Sequence, residues 1–252
     1  MKRVLILGGT GDAAALAAKA TQIAGVEVVT SLAGRTEKPI APIGPVRVGG
    51  FGGAEGLADY LRDRSVNLMV DATHPFAAQI SWNAAAAAAA ANIPHLILNR
   101  PPWQKTPDDR WIEVESHAAA AAVLPSLAQR VFLTIGRQEL AAFAHLKSLW
   151  FLMRMIDPPA PEAAVPPGLL LLERGPFALE EERSLLLNHQ IGAIVSKNSG
   201  GSATYAKIIA ARELDIPIVM VQRPPLPAAA QVSTVEAAVS WLVSQLGEDD
   251  SA

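Results

Sequence analysis

Short apolar runs without polar alternation take turns with segments of helical pattern along the whole chain, and this rhythm narrows the fold more than any composition figure. The runs fall at 4–7, 26–30, 67–70, 95–98, 131–135, 193–195 and 216–221. The helical segments fall at 12–24, 54–64, 76–91, 137–147, 178–188, 202–213 and 234–246. A strand wetted on one face alternates apolar and polar residues, whereas one covered by helices on both faces need not. The pattern predicts an α/β fold on parallel sheet. The Ala-rich segment 76–91 combines strong helix formers with small side chains, so close packing accounts for it.

With 252 residues, the chain suits one large α/β domain or two smaller ones. The rhythm breaks between Arg100 and Leu127, where Pro101-Pro102, Pro107 and Asp108-Asp109 intervene before one more strand at 111–114. A boundary is expected within 115–130, dividing the chain into an N-terminal domain, 1–120, and a C-terminal domain, 121–252. The five prolines of 158–167 mark a loop inside the second half, and no fixed-period repeat is evident.

Several chemistries are closed off. There is no cysteine, which excludes disulfides, thiolate catalysis and Cys-ligated metal centres. The five histidines show no i, i+4 pair, so no metal site is expected. A net charge of −3 without a basic block speaks against nucleic-acid or anionic-membrane partners. The apolar run 4–7 is too short for a signal-peptide core, and 84–91 is too short for a membrane span, so a cytoplasmic protein is expected. Tyr60 and Tyr205 are followed four positions on by Arg64 and Ile209, not by the lysine of short-chain dehydrogenases. Neither a serine-hydrolase elbow nor a Walker loop occurs.

The strongest local signal is Val4-Leu5-Ile6-Leu7-Gly8-Gly9-Thr10-Gly11-Asp12, a strand, a glycine turn and a helix start. Glycines admit a pyrophosphate to the backbone, and the N–H groups of the helix start solvate its charge. Ala13 and Ala14 stand where the dinucleotide fingerprint has a third glycine, so a plain connecting turn is the competing reading. The second strand ends in Ser31, Gly34, Arg35 and Thr36 with no acid for a ribose hydroxyl. Arg35, with Ser31 and Thr36, suits a 2′-phosphate, which favours NADPH over NADH; a solvated loop arginine is the alternative. Asp71-Ala72-Thr73-His74-Pro75-Phe76 follows the strand at 67–70, where ligands of open parallel sheets bind. There Thr73 and His74 either face the cofactor and substrate or cap the next helix. Ser196-Lys197-Asn198-Ser199-Gly200-Gly201 holds the corresponding place in the second half and suits an anion. Arg137 and Arg223 add cations at strand ends, though either alone reads equally as a surface arginine.

Taken together and in this order, Gly8-Gly9-Thr10-Gly11, Asp71-Ala72-Thr73-His74-Pro75-Phe76-Ala77 and Ser196-Lys197-Asn198-Ser199-Gly200-Gly201 resemble the precorrin-6A reductase family of cobalamin biosynthesis. The second motif is highly specific and the glycine turn alone is not. Asp12 stands where the family usually has Glu-type residues, and Gly11 where Ser or Ala is common. The resemblance implies two Rossmann-like domains with a cleft between them. It also implies NADPH-dependent reduction of precorrin-6A to precorrin-6B, hydride going to C19 and a proton to C18, without a metal. A polycarboxylate tetrapyrrole then meets Arg137, Lys197, Asn198, Ser199, Gly200 and Arg223. Lys197, Ser199 and His74 become the expected catalytic groups, with Gly8–Asp12, Ser31, Gly34, Arg35, Thr36, Thr73 and His74 around the cofactor. Transient contact with neighbouring pathway enzymes belongs to the same expectation. Two alternatives stay open: reduction of the cobalt-containing ring, and a non-catalytic NADP-binding sensor.

Overall fold

The structure is a computed structural model in which residues 1–34 and 43–248 are described. Arg35 and Thr36, expected at the cofactor, lie outside the described residues. The chain forms two α/β units, one of residues 1–101 and 224 onward, the other of 102–223.

The first unit opens with β1 (Lys2–Leu7), α1 (Gly11–Ala20), β2 (Val26–Leu32) and β3 (Val46–Val48). It continues through α2 (Gly53–Asp63), β4 (Leu68–Asp71), α3 (Ala78–Ala91) and β5 (His95–Leu98). The second unit takes β6 (Trp111–Val114), α4 (His117–Val123), β7 (Arg130–Thr134), β8 (Trp150–Met155) and β9 (Gly168–Leu172). To it also belong α5 (Leu179–Asn188), β10 (Ala193–Lys197), α6 (Ala206–Glu213) and β11 (Ile218–Val221). The chain then returns to the first unit with β12 (Ala230–Val232) and α7 (Val235–Glu248).

The two six-stranded sheets are parallel throughout, ordered β12-β5-β4-β1-β2-β3 and β6-β11-β10-β7-β8-β9. The unalternating runs have the cause expected of them. Val4 and Ile6 pack among Leu16 and Leu242 on one face, while Leu5 and Leu7 pack among Leu57, Leu61 and Ala84 on the other. Each such side chain is worth about 1.5–3 kcal/mol when taken out of water. In the second unit Phe132, Leu152, Ile194 and Met220 play the same part against Leu186 and Ile208.

The boundary expected near residue 120 gives way to two crossings. After β5 the chain passes through Arg100-Pro101-Pro102 into the second unit, where β6 pairs with β11. After β11 it passes back through Arg223-Pro224-Pro225, and β12 pairs with β5. Each unit's sixth strand is therefore supplied by the chain just after it leaves the fifth strand of the other. The register is matched as well: Asn99 N–H donates to Val232 O and Gln222 N–H to Val114 O, at 2.8 and 2.9 Å. Reading order along the chain does not encode this exchange, so no single cut near residue 120 separates the two units.

A repeat absent at fixed period emerges once the strands are superposed by topology. Ile93-Pro94 through Arg100-Pro101-Pro102 matches Ile216-Pro217 through Arg223-Pro224-Pro225. Ahead of each, a left-handed residue, Asn92 or Asp215, closes the preceding helix, and the N–H of Ile93 or Ile216 reaches back to Ala88 O or Ala211 O. The N-caps Ser116 and Thr234 correspond too, each accepting from the backbone N–H three residues on.

Other elements differ from expectation. The helix predicted at 137–147 is a tighter 3-10 stretch, Arg137–Phe143, and that at 202–213 begins only at Ala206. The strands β3, β8, β9 and β12 and the helix α4 carried no clear run. Among the described residues, no helix is long and apolar enough to cross a membrane, and no cluster of acids and histidines could hold a metal.

Candidate active site

In the first unit, the glycine turn closes the C-terminal end of β1, between the ends of β2 and β4. Gly8 N–H donates to Ser31 O at 2.8 Å, and a Cβ on Gly8 would lie 2.9 Å from Thr30 Cγ2, so the turn is built tightly against β2. Gly9 has φ +108°, a conformation that L side chains avoid, and nothing lies within 4 Å of where its Cβ would stand. The same open space surrounds Gly11. Thr10 is the N-cap of α1: its Oγ1 accepts from Ala13 N–H at 3.0 Å and donates to Ala72 O at 2.8 Å, tying the turn to β4. Asp12 pairs with Arg100 at 2.8 Å, joining the first turn of α1 to the end of β5.

Beyond β4, buried Asp71 organises its own loop. Its Oδ1 accepts from Thr73 N–H at 3.0 Å and from Thr73 Oγ1–H at 2.6 Å. His74 Nδ1 accepts from Phe76 N–H at 3.2 Å, so a neutral ring carries its proton on Nε2. Neither Thr73 nor His74 caps α3, whose N-cap is Ala77. Ser31 is buried, and Gly34 is exposed with φ +72°. The described residues of the expected cofactor set thus share one edge of the first sheet.

The expected substrate residues share the C-terminal edge of the second sheet, at the ends of β7, β10 and β11. Asn198 is the keystone of its loop. Its Oδ1 accepts from Trp103 N–H at 2.8 Å and its Nδ2 donates to Trp103 O at 3.2 Å, a reciprocal, buried pair. Asn198 O in turn accepts from Arg223 Nε at 2.7 Å. Trp103 Nε1 donates to Gly201 O at 2.8 Å, and Ser199 N–H to Lys197 O at 2.7 Å. The asparagine side chain is therefore spent on shaping the loop that presents Lys197, Ser199 and Gly200. Gly200 and Gly201 both have positive φ, which allows the reversal.

Beneath this loop, buried Lys207 donates to Thr204 O at 2.8 Å and lies 4.7 Å from the Trp103 ring centroid. Burial, and then the nearby charge of Arg154, bring its pKa down to about 7, against the attraction of Glu182. Arg154 and Glu182 themselves form a buried two-pronged pair. Arg137 donates to Pro158 O at 2.9 Å.

Lys197, the last residue of β10, is held below the usual lysine range by burial, opposed by the carboxylate of Glu139. His117 is likewise lowered by burial, with Glu139 opposing and the Lys197 charge reinforcing the shift. Its Nδ1 stands 3.4 Å from Glu139 Oε2. His117, Glu139 and Trp103 were missed by sequence reasoning. The topological match of Gly136 with Gly9 would have revealed Glu139, because it falls where Asp12 follows the first turn.

Comparison with known proteins agrees on one family. The model of the precorrin-6x reductase CbiJ/CobK family matches residues 3–243. The precorrin-6A reductase of Rhodococcus erythropolis is 54% identical over 244 residues, covering 96% of this chain and 98% of that protein. A cobalt-precorrin-6A reductase from Priestia megaterium is 30% identical over 256 residues, covering 96% and 98%. A solved structure described as CobK precorrin-6A reductase superposes with a TM-score of 0.91 at 42% identity, covering 97% of each chain.

Proposed function

The chain belongs to the precorrin-6x reductase family and is a precorrin-6A reductase of cobalamin biosynthesis, and from that premise we propose that NADPH is its hydride donor, held on the glycine turn of the first unit. The enzyme reduces a carbon–carbon double bond of the macrocycle. The observation that carries the cofactor assignment is Gly9, whose left-handed backbone and open Cβ position make a cradle above the start of α1. Such a turn fits a pyrophosphate, which needs close backbone approach and N–H donors.

Gly8–Asp12 hold the pyrophosphate, Ser31, Gly34, Arg35 and Thr36 the ribose with its 2′-phosphate, and Thr73 and His74 the nicotinamide side. Bound NADPH supplies the two electrons as hydride, so no metal is called for. The second-unit edge takes the substrate: Arg137, Arg223 and Lys197 meet acetate and propionate carboxylates, and Ser199 and Gly200 shape the contact. Asn198 contributes by building the loop. Arg137 and Arg223 each donate to a backbone carbonyl, which helps to orient them towards anions.

Reduction to precorrin-6B also needs a proton at C18. Lys197 suits its delivery, because burial loosens its proton, and Ser199 and the Nε2–H of His74 are the other donors of this set. The metal-free ring is favoured over the cobalt-containing one by 54% against 30% identity to relatives so described. Transfer of product by transient contact with a neighbouring pathway enzyme completes the proposal. Anaerobic incubation with precorrin-6A and NADPH, and in parallel NADH or the cobalt-containing ring, tests it. Coupled loss of NADPH and substrate absorbance is expected. Faster turnover with NADH or with the cobalt ring overturns the corresponding part.

A further inference from the structure

Three ionisable side chains from three separate connections meet on the C-terminal edge of the second sheet. Lys197 ends β10, opposite Val221 of β11, and Val221 in turn opposes Val114 of β6. The ends of these strands are therefore level, and His117 begins α4 just beyond β6. Glu139 stands in the first turn of the 3-10 stretch after β7, the other neighbour of β10. We propose that Glu139 is the positioning residue of Lys197, keeping its ammonium in place at the end of β10, while His117 fixes the carboxylate. This rests on the reading of Lys197 as a group that meets the substrate.

Charge and burial make the case. A buried ammonium with no anion nearby gives up its proton. Glu139 is the carboxylate that acts on Lys197, and it acts on His117 as well. His117 Nδ1 is 3.4 Å from Glu139 Oε2, which places the imidazole against the carboxylate. Burial holds His117 below the usual histidine range, with Glu139 opposing the shift and the Lys197 charge adding to it. Arg137 donates to Pro158 O and Arg223 to Asn198 O on the same edge. The duplicated topology adds an independent argument. Asp12, the counterpart of Glu139, is paired with Arg100. The counterpart of Arg100 is Arg223, which donates to Asn198 O, while Glu139 stands against His117 and acts on Lys197.

The test reads the Lys197 ammonium directly by side-chain NMR of isotope-labelled lysine across pH, its signal assigned by its loss in Lys197→Arg. In Glu139→Gln its midpoint is expected to fall by about 1 pH unit or more, the scale for loss of a close opposite charge. Glu139→Asp should stay near the native value, and His117→Gln should move it the same way by less. Circular dichroism and NADPH affinity should be unchanged in all three. An unmoved midpoint in Glu139→Gln overturns the proposal. The pH profile of kcat separates the two readings: its alkaline limb should follow the midpoint downward. A midpoint that moves under an unmoved profile supports the pairing and removes Lys197 from the chemistry.

Discussion

Arg100 and Arg223 stand at equivalent positions, each just beyond a fifth strand and directly ahead of a proline pair, yet they hold different things. Arg100 grips the Asp12 carboxylate at 2.8 Å, and Arg223 donates through Nε to the Asn198 carbonyl at 2.7 Å. The first bond anchors the helix that follows the glycine turn, and the second anchors the loop that carries Lys197. One duplicated element thus anchors a helix start in one unit and a strand-end loop in the other.

Gly9→Val should abolish cofactor binding while the fold survives. Its Cβ meets nothing within 4 Å, so the cost is backbone strain at φ +108°, roughly 1–3 kcal/mol. The branched side chain then fills the space required by the pyrophosphate. NADPH titration against circular dichroism checks this; retained tight binding would make residues 8–11 a structural turn only.

Arg35→Ala should raise KM for NADPH far more than for NADH. The loss should be about 1.5–3 kcal/mol, the range for a charge-assisted hydrogen bond to the 2′-phosphate. Equal effects on the two cofactors would remove Arg35 from the site.

Gly8→Ala should be destabilising, and Thr30→Ser should rescue it. The new Cβ would lie 2.9 Å from Thr30 Cγ2, whereas Ser31 O at 3.5 Å is in ordinary contact. Overpacking of this kind costs about 1–3 kcal/mol. Serine lacks that methyl, so urea midpoints should show the double variant more stable than Gly8→Ala alone. Additive losses would place the conflict elsewhere.

Lys207 should impose an unusual pH dependence on stability. Its pKa is brought down to about 7 in the folded chain, against 10.5 for an unperturbed lysine. Between those values the unfolded chain binds more protons, so this group makes stability rise as pH rises from about 7 towards 10. Lys207→Met removes that contribution. Denaturation at pH 7 and pH 9.5 should show the variant gaining relative to the native chain at the lower pH, and a difference independent of pH would refute the assignment.

What was legible in the sequence is what is local. The run from Val4 through Asp12 specifies strand, turn and cap within nine residues, and Thr10 caps through Ala13, three positions on. Hidden features depend on distant partners. Arg154 reads as a charge that breaks a buried strand, until Glu182 supplies the carboxylate that lets β8 form. β9 is an edge strand whose leucines are mostly exposed, so burial gave it no signature. The sixth strands are exchanged across the two crossings, which apolar runs cannot report. Lys197 and Asn198 stand out by composition, whereas His117 and Glu139 are brought together only by the fold.

Asn198 offers the sharpest separation of loop building from direct substrate contact. Asn198→Ala leaves both the N–H and the carbonyl of Trp103 without their partner in a buried setting, at about 1–3 kcal/mol for each stranded group. Asn198→Asp keeps the acceptor for the N–H but turns a second carboxylate oxygen towards the Trp103 carbonyl. That repulsion, with burial, raises the aspartate pKa above its unfolded value. The folded variant then binds the extra proton first, so its stability deficit should shrink as pH falls from 7.5 to 5, where the protonated carboxyl can donate as the amide did. Alanine should show no such recovery. NADPH affinity should stay near native in both variants, because the glycine turn lies in the other unit, while kcat should fall with the loss of loop geometry. A stable Asn198→Ala enzyme that has lost only substrate affinity would show that the amide touches the macrocycle after all.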